Sequence, residues 1–481
     1  MIEPSASGAG VAGDRLLVAC AEVLVTMDAQ RREIPEGSIL LAGNTIERVG
    51  TDAEVAHWIA GDAAARTPRR TIDAHGCVVL PGLVNCHHHL FQSLTRTIGT
   101  GQRRSLFDWL RLLYPIWAEL DAEAVYISAK TALAELMLSG ATTVVDHLYL
   151  FPNGARLDDE IEAARELGVR FHATRGSMSL GESRGGLPPD RLVEDEDAVI
   201  ADCRRVVETF HDPGARAMLR IGLAPCSPFS VTRDLMRETA RLARSYRSVG
   251  LHTHLAESAD ENRFCEQMFA ARPLDYAESV EWLGADTWFA HMVHLEAPEI
   301  DRVARAAAGV CHCPSSNMIL GSGIAPVSRM LGRGVKVALG VDGSASNDGN
   351  QMLGELRQAL LLQRVAERTG GSSAGAFSAR SALELATRGG AAVLGRDDIG
   401  SLEPGKAADL VAFRIDDLEH AGALSDPVAA LVTCAPTRAW LSVINGRVVV
   451  EEGMPLRVEL APLINRHNRI SRKMLERAGL L

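Results

Sequence analysis

Eight apolar runs recur through the middle of the chain, each of a length typical of a β-strand. They lie at residues 78–85, 141–147, 169–175, 218–226, 249–257, 287–294, 308–314 and 335–343, and amphipathic stretches such as residues 235–246 separate them. Strands that alternate with helices predict a parallel α/β sheet. Nearly every run ends in polar residues, which is where barrel enzymes place their sites. A TIM-type (β/α)8 barrel is therefore favoured over an open doubly wound sheet.

The two ends of the chain differ from the middle. Short β-rich segments separated by polar turns occupy residues 16–73, and similar segments recur at 409–416 and 438–454, where Asn445-Gly446 is a strong hairpin signal. We predict one small β-sandwich domain built from both termini, with the barrel inserted between its halves. The expected parts are residues 1–77, then the barrel over 78–400, then 401–481 with a terminal helix.

Charge, hydropathy and cysteine content limit the kinds of binding partner and the cellular compartment that we expect for this protein. The net charge of -11 is spread along the chain, which disfavours a nucleic-acid partner. No apolar stretch approaches the roughly 20 residues that span a bilayer, so we expect a soluble protein without a membrane partner. Nine scattered cysteines in apolar runs indicate reduced thiols in a cytoplasm, and Cys311 and Cys313 fit a buried strand better than a metal cluster. The first 15 residues lack a basic region before an apolar core, so we expect a tail rather than a signal peptide.

Histidines stand at the end of the first apolar run. Alternate side chains of a strand share a face, so His87 and His89 should point the same way and His88 the other way. Two imidazoles on one face are a good start for a divalent-metal site. A pair alone also fits structural or surface histidines.

Three later runs supply further candidates at their ends. His254 ends the fifth run with Glu257 one loop step beyond, and His291 or His294, with His291 preferred, follows the sixth. Asp342 follows the eighth run, where a buried carboxylate is costly unless a cation or a donor compensates it. Each of the two carboxylates also has a structural explanation. Glu257 could cap the next helix, and Asp342 could form an Asp-Gly turn with Gly343.

Three histidines and one aspartate form a nitrogen and oxygen donor set that suits one divalent metal, zinc first and Fe²⁺ second. Such a metal would make a water molecule nucleophilic at neutral pH. Glu257 could then take the water proton and pass it to the leaving group. The sequence therefore predicts a metal-dependent hydrolase.

Four motifs, PGLVNCHHH, HLAE, AHMVH and GVDGSASND, occur in this order and spacing, and with them the chain resembles the one-metal deaminase branch of the amidohydrolase superfamily. The resemblance covers the barrel and both β segments. Two positions depart from the family pattern: Cys86, where Thr is expected, and Met292, where Gly is expected. The resemblance implies that four residues bind the metal, that Glu257 shuttles protons and that His291 polarises the water; the four are His87, His89, His254 and Asp342.

The reaction that the resemblance implies is hydrolytic deamination of an amino-substituted oxopurine, first of all 8-oxoguanine to urate and ammonia. Deamination of isoxanthopterin, guanine or another pterin, or removal of an amine from an s-triazine, is the alternative. A catalytically silent barrel that serves assembly or binding is a different class, which the retained donor set disfavours. The resemblance also implies a homo-oligomer.

Substrate contacts are predicted from position. Gln92 and Arg175 follow the first and third runs, and an amide and a guanidinium can pair with the polar edge of an oxopurine. A helix-face Gln and a salt-bridged Arg are the alternatives. Trp109 could close the mouth of the barrel, although an amphipathic helix packed on its own apolar face explains it equally well. His147 is expected to line the cavity.

Overall fold

The computed structural model describes residues 15–369 and 377–481. The expected N-terminal tail falls mostly on residues 1–14, outside the described residues. In chain order the strands are β1 (Arg15–Val25), β2 (Glu33–Ala42), β3 (Thr45–Thr51), β4 (Arg70–Asp73), β5 (Cys77–Pro81), β6 (Leu83–Asn85), β7 (Ala141–Leu148), β8 (Arg170–Ser177), β9 (Leu219–Pro225), β10 (Gly250–Leu255), β11 (Thr287–His291), β12 (Gly309–His312), β13 (Lys336–Leu339), β14 (Leu410–Arg414), β15 (Leu441–Ile444), β16 (Arg447–Glu451) and β17 (Met454–Pro455).

Most of the helices lie between consecutive barrel strands, whereas the first two lie between β3 and β4. They are α1 (Asp52–Ala60), α2 (Ala63–Arg66), α3 (Leu106–Trp117), α4 (Ala122–Leu138), α5 (Leu157–Leu167), α6 (Glu196–Phe210), α7 (Arg233–Arg244), α8 (Ala259–Phe269), α9 (Pro273–Ser279), α10 (Ala297–Ala306), α11 (Pro314–Ile319), α12 (Val327–Gly332), α13 (Met352–Thr369), α14 (Ala379–Glu384), α15 (Gly390–Val393), α16 (Pro427–Thr433) and α17 (Leu460–Arg477). None of the helices described is long and apolar enough to cross a bilayer.

Strands β6 to β13 form one eight-stranded sheet in sequence order, and each neighbouring pair is parallel. The first and last strands meet where the Cys86 N–H donates to the Leu339 carbonyl at 3.0 Å. The Val341 N–H donates to Asn85 Oδ1 at 2.9 Å across the same seam. The predicted TIM-type barrel is confirmed, and all eight predicted runs contribute a strand to it.

The first predicted run is divided between the two sheets. Strand β5 pairs with β1 and β14 of the terminal sheet, whereas β6 pairs with β7 of the barrel. Gly82 lies between them against Thr142, and a Cβ built on Gly82 would come within 2.0 Å of the Thr142 hydroxyl oxygen. The expectation that residues 78–85 form a single barrel strand is corrected, because the chain changes sheets at this glycine.

A nine-stranded sheet is assembled from both ends of the chain, in the order β17-β16-β15-β14-β5-β1-β2-β3, with β4 beside β1. This confirms the predicted β-domain built from both termini. Strands β15 and β16 form a hairpin, and its turn residues Asn445 and Gly446 have φ angles of 52° and 76°. Two consecutive left-handed residues are what a tight hairpin turn requires, which explains the Asn-Gly pair.

A buried ion pair joins the two sheets. Arg170 on β8 donates from Nε to Asp409 Oδ2 at 2.7 Å and from Nη2 to Oδ1 at 2.9 Å. Asp409 Oδ1 also accepts the backbone N–H of Asn445 at 2.7 Å, so one carboxylate holds a barrel strand and the hairpin turn. Both side chains are almost fully buried. Neither ion can be left alone in this environment without a large desolvation cost.

We expect Asp409→Ala to destabilise the protein by about 3–5 kcal/mol, because it leaves the Arg170 guanidinium buried without a partner. Arg241→Ala is the matched control, since it breaks the Arg241–Glu281 pair with the Arg241 side chain 65% exposed. That change should cost no more than about 1 kcal/mol. Chemical denaturation of both variants measures the difference, and equal losses would contradict the importance of the buried pair.

Candidate metal centre and active site

Five side chains converge at the carboxyl ends of the barrel strands. His87 and His89 follow β6, His254 lies on β10, His291 ends β11 and Asp342 follows β13. All five are buried. The ring centroids of His87 and His89 lie 4.7 Å apart, as the alternation of the strand predicts.

His88 points elsewhere, and its Nε2 lies 2.8 Å from Asn350 Oδ1. This is also the outcome that strand alternation predicts.

The metal-binding atoms lie within a few ångströms of one another. His89 Nε2 is 3.0 Å from His254 Nε2. Asp342 Oδ1 is 3.4 Å from His87 Nε2 and 3.5 Å from His89 Nε2. Three imidazole nitrogens and a carboxylate oxygen therefore surround one point, which is a donor set for a divalent cation.

Hydrogen bonds on the far side of each imidazole fix which nitrogen faces the centre. His89 Nδ1–H donates to the His147 carbonyl at 2.8 Å, and His254 Nδ1–H donates to the Cys226 carbonyl at 2.7 Å. With the proton on Nδ1, each ring turns the lone pair of Nε2 inward. Ligating histidines are oriented in this way in metal proteins.

His87 is oriented through a second histidine. His252 Nδ1–H donates to the Trp288 carbonyl at 2.9 Å, so the Nε2 of neutral His252 accepts a hydrogen bond from His87 Nδ1 at 2.8 Å. The inward Nε2 of His87 is buried without a hydrogen-bond partner among the described residues. A buried lone pair without a donor is a cost that a bound cation removes, so the residues present fit a metal ion.

The protonation states suit a cation as well. Burial lowers the pKa of His89 to about 3 and that of His254 well below its ordinary value, so both rings stay neutral. Burial by itself raises the pKa of Asp342, but its interactions with the imidazoles of His87, His291 and His89 outweigh burial and hold that pKa well below its usual range. Neutral imidazoles and an ionised carboxylate are the forms that bind metals.

The backbone at the strand ends is strained. Ala256, His291, Met292 and Asp342 have φ angles of 52°, 75°, 50° and 64°. Residues other than glycine rarely adopt this left-handed region, and each instance costs on the order of 1–3 kcal/mol. These four residues stand at the ends of β10, β11 and β13, where the unusual backbone helps to direct His291 and Asp342 into the centre.

Glu257 lies beside the converging donors. Its Oε2 is 3.6 Å from His291 Nε2. The Glu257 N–H donates to Glu261 Oε2 at 2.8 Å and the Ala256 N–H to Glu261 Oε1 at 2.9 Å, which fixes the loop. Burial raises the pKa of Glu257 well above its ordinary value, and the charges of Asp342 and Glu261 raise it further. The carboxyl group is therefore suited to hold a proton near neutral pH.

His291 is oriented by a residue from the next strand connection. Its Nδ1 lies 2.9 Å from Asn317 Oδ1, on α11. Since an amide oxygen only accepts, His291 carries its proton on Nδ1 and turns the Nε2 lone pair toward Glu257. Asp342 Oδ2 is 3.8 Å from the same Nε2.

A cavity of about 380 Å³, its open mouth included, lies above these groups. Gln92 and Trp109 line it, as do six aromatic or aliphatic residues that the sequence did not single out, namely Leu106, Leu110, Tyr114, Tyr149, Phe229 and Leu320. Its wall consists of His89, Gln92, Leu106, Trp109, Leu110, Tyr114, Tyr149, Cys226, Phe229, His254, Glu257, His291, Leu320, Asp342 and Ser346. A narrow slot with aromatic walls suits a flat ring.

Two polar atoms of this wall are buried without a hydrogen-bond partner, Gln92 Oε1 and the Tyr114 hydroxyl. The Gln92 amide lies directly against Gly343, where a Cβ would come within 2.0 Å of Oε1. Sequence reasoning missed Tyr114. The signal was present, since Leu106, Trp109, Leu110 and Tyr114 form one helical face, but the sequence does not say which neighbour that face meets.

Two predicted substrate contacts lie away from this cavity. Arg175 donates to Asp202 Oδ2 and to Glu194 Oε1, both at 2.7 Å, and its guanidinium stacks 3.8 Å from the Phe151 ring centroid. The salt-bridged alternative therefore describes Arg175.

His147 stacks on His254 with centroids 4.9 Å apart and donates from Nε2 to the Ala224 carbonyl at 2.7 Å. It lies behind the histidine cluster, not in the wall of the cavity, and its Nδ1 falls within the same group of donor atoms. Cys313 Sγ lies within 4.8 Å of donor atoms of His87 and Asp342. Burial raises the pKa of the Cys313 thiol well above its ordinary value, which favours a neutral thiol.

Comparisons with known proteins agree with this geometry. The sequence model of the amidohydrolase family matches residues 78–449. The chain is 47% identical to an 8-oxoguanine deaminase of Pseudomonas aeruginosa, over 90% of this chain and 93% of that one. It is 35% identical to an isoxanthopterin deaminase of an unknown prokaryotic organism, over 92% of each. The crystal structure of an atrazine chlorohydrolase from Arthrobacter aurescens complexed with zinc matches with a TM-score of 0.88 and 34% identity, over 95% of this chain and 100% of that one.

The closed parallel barrel and the buried histidine and carboxylate centre at its carboxyl end define a metal-binding hydrolase. The chain belongs to the amidohydrolase family, and the resemblance inferred from its motifs is confirmed.

We expect His252→Phe to lower metal affinity roughly 10- to 100-fold, because it removes the acceptor that orients His87 while a ring still stacks on Trp288. His57→Ala, which removes an exposed histidine on α1, should leave the affinity unchanged. Competition of zinc-loaded protein with a chelator of known affinity measures both variants. Unaltered affinity in His252→Phe would show that His87 needs no such orientation.

Proposed function

We propose that this enzyme hydrolytically deaminates an amino-substituted oxopurine, with 8-oxoguanine as the substrate and urate and ammonia as the products. The observation that carries the proposal is the Glu257 carboxyl 3.6 Å from His291 Nε2, beside four converging metal-donor atoms and under a narrow aromatic cavity. The 8-oxoguanine deaminase that is 47% identical over 90% of the chain supports the choice of ring.

One divalent cation is proposed to bind to His87, His89, His254 and Asp342, zinc in the first place and Fe²⁺ as the alternative. The zinc in the related chlorohydrolase structure supports this assignment. When bound, the cation supplies Lewis acidity that makes water a nucleophile at neutral pH.

Glu257 moves the proton. As a carboxylate it accepts a proton from the attacking water, and the new C–O bond forms at the ring carbon that bears the amino group. As a carboxylic acid it then gives that proton to the amino nitrogen, the C–N bond breaks and ammonia leaves. The raised pKa of Glu257 favours the acid form that holds the proton between the two steps. His291 accepts a hydrogen bond from the water through Nε2 and so orients it.

The wall of the cavity provides the recognition of the ring. An 8-oxoguanine ring carries several N–H donors and two carbonyl acceptors on its edge. The unpartnered Gln92 Oε1 can accept from a ring N–H, and the unpartnered Tyr114 hydroxyl can donate to a carbonyl. Trp109 and Phe229, also in the wall of the cavity, offer aromatic surfaces on which a flat ring can pack.

Isoxanthopterin, guanine or another pterin is the alternative substrate class, and an s-triazine is a further one. The isoxanthopterin deaminase relative and the atrazine chlorohydrolase structure support these at 35% and 34% identity. Arg175 was predicted to pair with the polar edge of an oxopurine. It instead forms ion pairs with Glu194 and Asp202, so it does not favour an oxopurine over the other rings as substrate.

A cytoplasmic location and a homo-oligomeric state are also proposed. All nine cysteines are free, which suits a reducing compartment. The oligomeric state is a prediction from the family resemblance.

A substrate panel tests the proposal. Metal-loaded protein is incubated separately with 8-oxoguanine, isoxanthopterin, guanine and an aminated s-triazine, and ammonia is measured. We expect the highest kcat/KM with 8-oxoguanine, together with the ultraviolet spectrum of urate as product. A higher kcat/KM with another ring would overturn the choice of substrate, and no ammonia from any ring would overturn the deaminase.

Glu257→Gln serves as the inactive control for the substrate panel, because it removes the proton-carrying carboxyl group while keeping the shape of the side chain. It should retain the metal and lose roughly 100- to 10,000-fold in kcat. Glu266→Gln on the exposed side of α8 is the matched control and should keep full activity.

Tyr114→Phe isolates the recognition of the ring. The hydroxyl has no hydrogen-bond partner within residues 15–369 and 377–481, so its removal should leave the free energy of unfolding unchanged or slightly raised. The variant should nevertheless lose about 3- to 10-fold in kcat/KM, because one hydrogen bond to the substrate is gone. Steady-state kinetics and denaturation are measured together. Loss of stability with unchanged kinetics would assign Tyr114 to the core instead.

A further inference from the structure

A buried guanidinium at the other end of the barrel has no carboxylate partner. Arg220 lies on β9 near its amino end and is only 9% exposed. Within the part of the chain that the structure describes, its one hydrogen bond is a long one, from Nη2 to the Gly214 carbonyl at 3.4 Å, and its Nε has no partner. Among residues 15–369 and 377–481, no carboxylate lies within ion-pair distance of it.

The neighbouring arginines are paired, which makes Arg220 an exception. Arg170 forms its bidentate pair with Asp409, and Arg396 donates to both oxygens of Asp398 at 2.7 Å and 2.8 Å. Burial, together with the charge of Arg396, lowers the pKa of Arg220 to about 10. The side chain is still charged at neutral pH. Burial of a cation without an ion-pair partner destabilises the folded protein, so a bound anion would stabilise it.

Arg220 borders a cavity of about 590 Å³, its mouth included, at the amino end of the strands. His172, Ser248, Asp286, Trp288 and Leu394 are also in its wall. The Asp286 carboxylate is engaged by Arg244, with 2.7 Å from Nε to Oδ2.

Trp288 separates this cavity from the histidine cluster. Its ring stacks on His252 with a centroid distance of 4.7 Å and an interplanar angle of 14°. The cavity is therefore distinct from the candidate active site, which lies at the carboxyl ends of the same strands.

The wall offers donors to an anion. His172 Nε2 accepts from Arg396 Nη1 at 3.2 Å, so His172 carries its proton on Nδ1 as a donor. Ser248, on the exposed rim, adds a hydroxyl. A guanidinium presents planar paired N–H donors that match the oxygens of phosphate, sulfate or carboxylate.

We propose that this cavity is a second ligand site, which binds a small oxyanion on the Arg220 guanidinium. The shared chemistry is a tetrahedral or planar group with two or more anionic oxygens. The site is separate from the deaminase centre, so the proposal does not depend on the proposed function.

Thermal unfolding and calorimetry of the metal-loaded protein test the site. Inorganic phosphate is titrated against sodium chloride at equal ionic strength, with sulfate and acetate as further arms that identify the preferred oxyanion. We expect a saturable rise in Tm with phosphate or one of the other oxyanions that chloride does not give. Arg220→Met should abolish that rise. Without oxyanion this variant should be as stable as the wild type or more so, because it replaces an uncompensated charge by an apolar side chain.

Arg204→Gln is the control variant. It removes an equal charge from the exposed face of α6 and should keep the thermal response to the oxyanion. Arg220→Lys keeps the charge but lacks the planar guanidinium. It should bind the oxyanion about tenfold more weakly, which is the effect of one charge-assisted hydrogen bond. If Arg220→Met does not fold, the oxyanion affinity of Arg220→Lys tests the proposal. No saturable response to any oxyanion in the wild type, or an equal response in the Arg220 variants, would overturn the proposal.

Discussion

The seam that closes the barrel is the constraint on which the site depends. The Asp342 N–H donates to the His87 carbonyl at 3.2 Å, so two residues that offer metal-donor atoms are joined through their own backbones. They are 255 positions apart in the sequence, and only closure of β6 against β13 brings them together. Closing a chain segment of this length costs conformational entropy, which the packing of eight strands and their helices repays. A partly folded barrel therefore has no complete metal centre.

The backbone that builds the barrel also orients the ligands. The carbonyls of His147 and Cys226, at the ends of β7 and just past β9, accept the Nδ1–H groups of His89 and His254. These carbonyls lie at the carboxyl ends of the barrel strands, and that of Cys226 also accepts the backbone N–H of His254 at 3.2 Å. Each of these two imidazoles is thus held in one tautomer by a neighbouring strand, without a dedicated carboxylate.

The parts that sequence could predict are those set by local periodicity. The alternation of a strand places His87 and His89 on one face, and the eight apolar runs give the barrel and its active end. The parts that it could not predict depend on distant contacts. Arg175 forms ion pairs with Glu194 and Asp202, which lie beyond the loop that follows its strand. No local sequence pattern shows that these carboxylates come close to the guanidinium. The division of residues 78–85 at Gly82 is likewise a consequence of Thr142, which lies 60 positions away.

Chemistry and recognition are carried by different segments of this fold. Glu257 and the candidate metal-donor atoms stand at strand ends, where β-sheet packing and strained backbone leave them little freedom. Gln92 lies on a short 3-10 helix and Tyr114 on α3, both within the insertion between β6 and β7. Changes in that insertion can reshape the slot without moving a strand, because its residues pack on the barrel and do not complete it. Gln92 is the exception, since its amide rests on Gly343, the residue next to Asp342. A change of the Gln92 side chain therefore bears on the backbone next to Asp342.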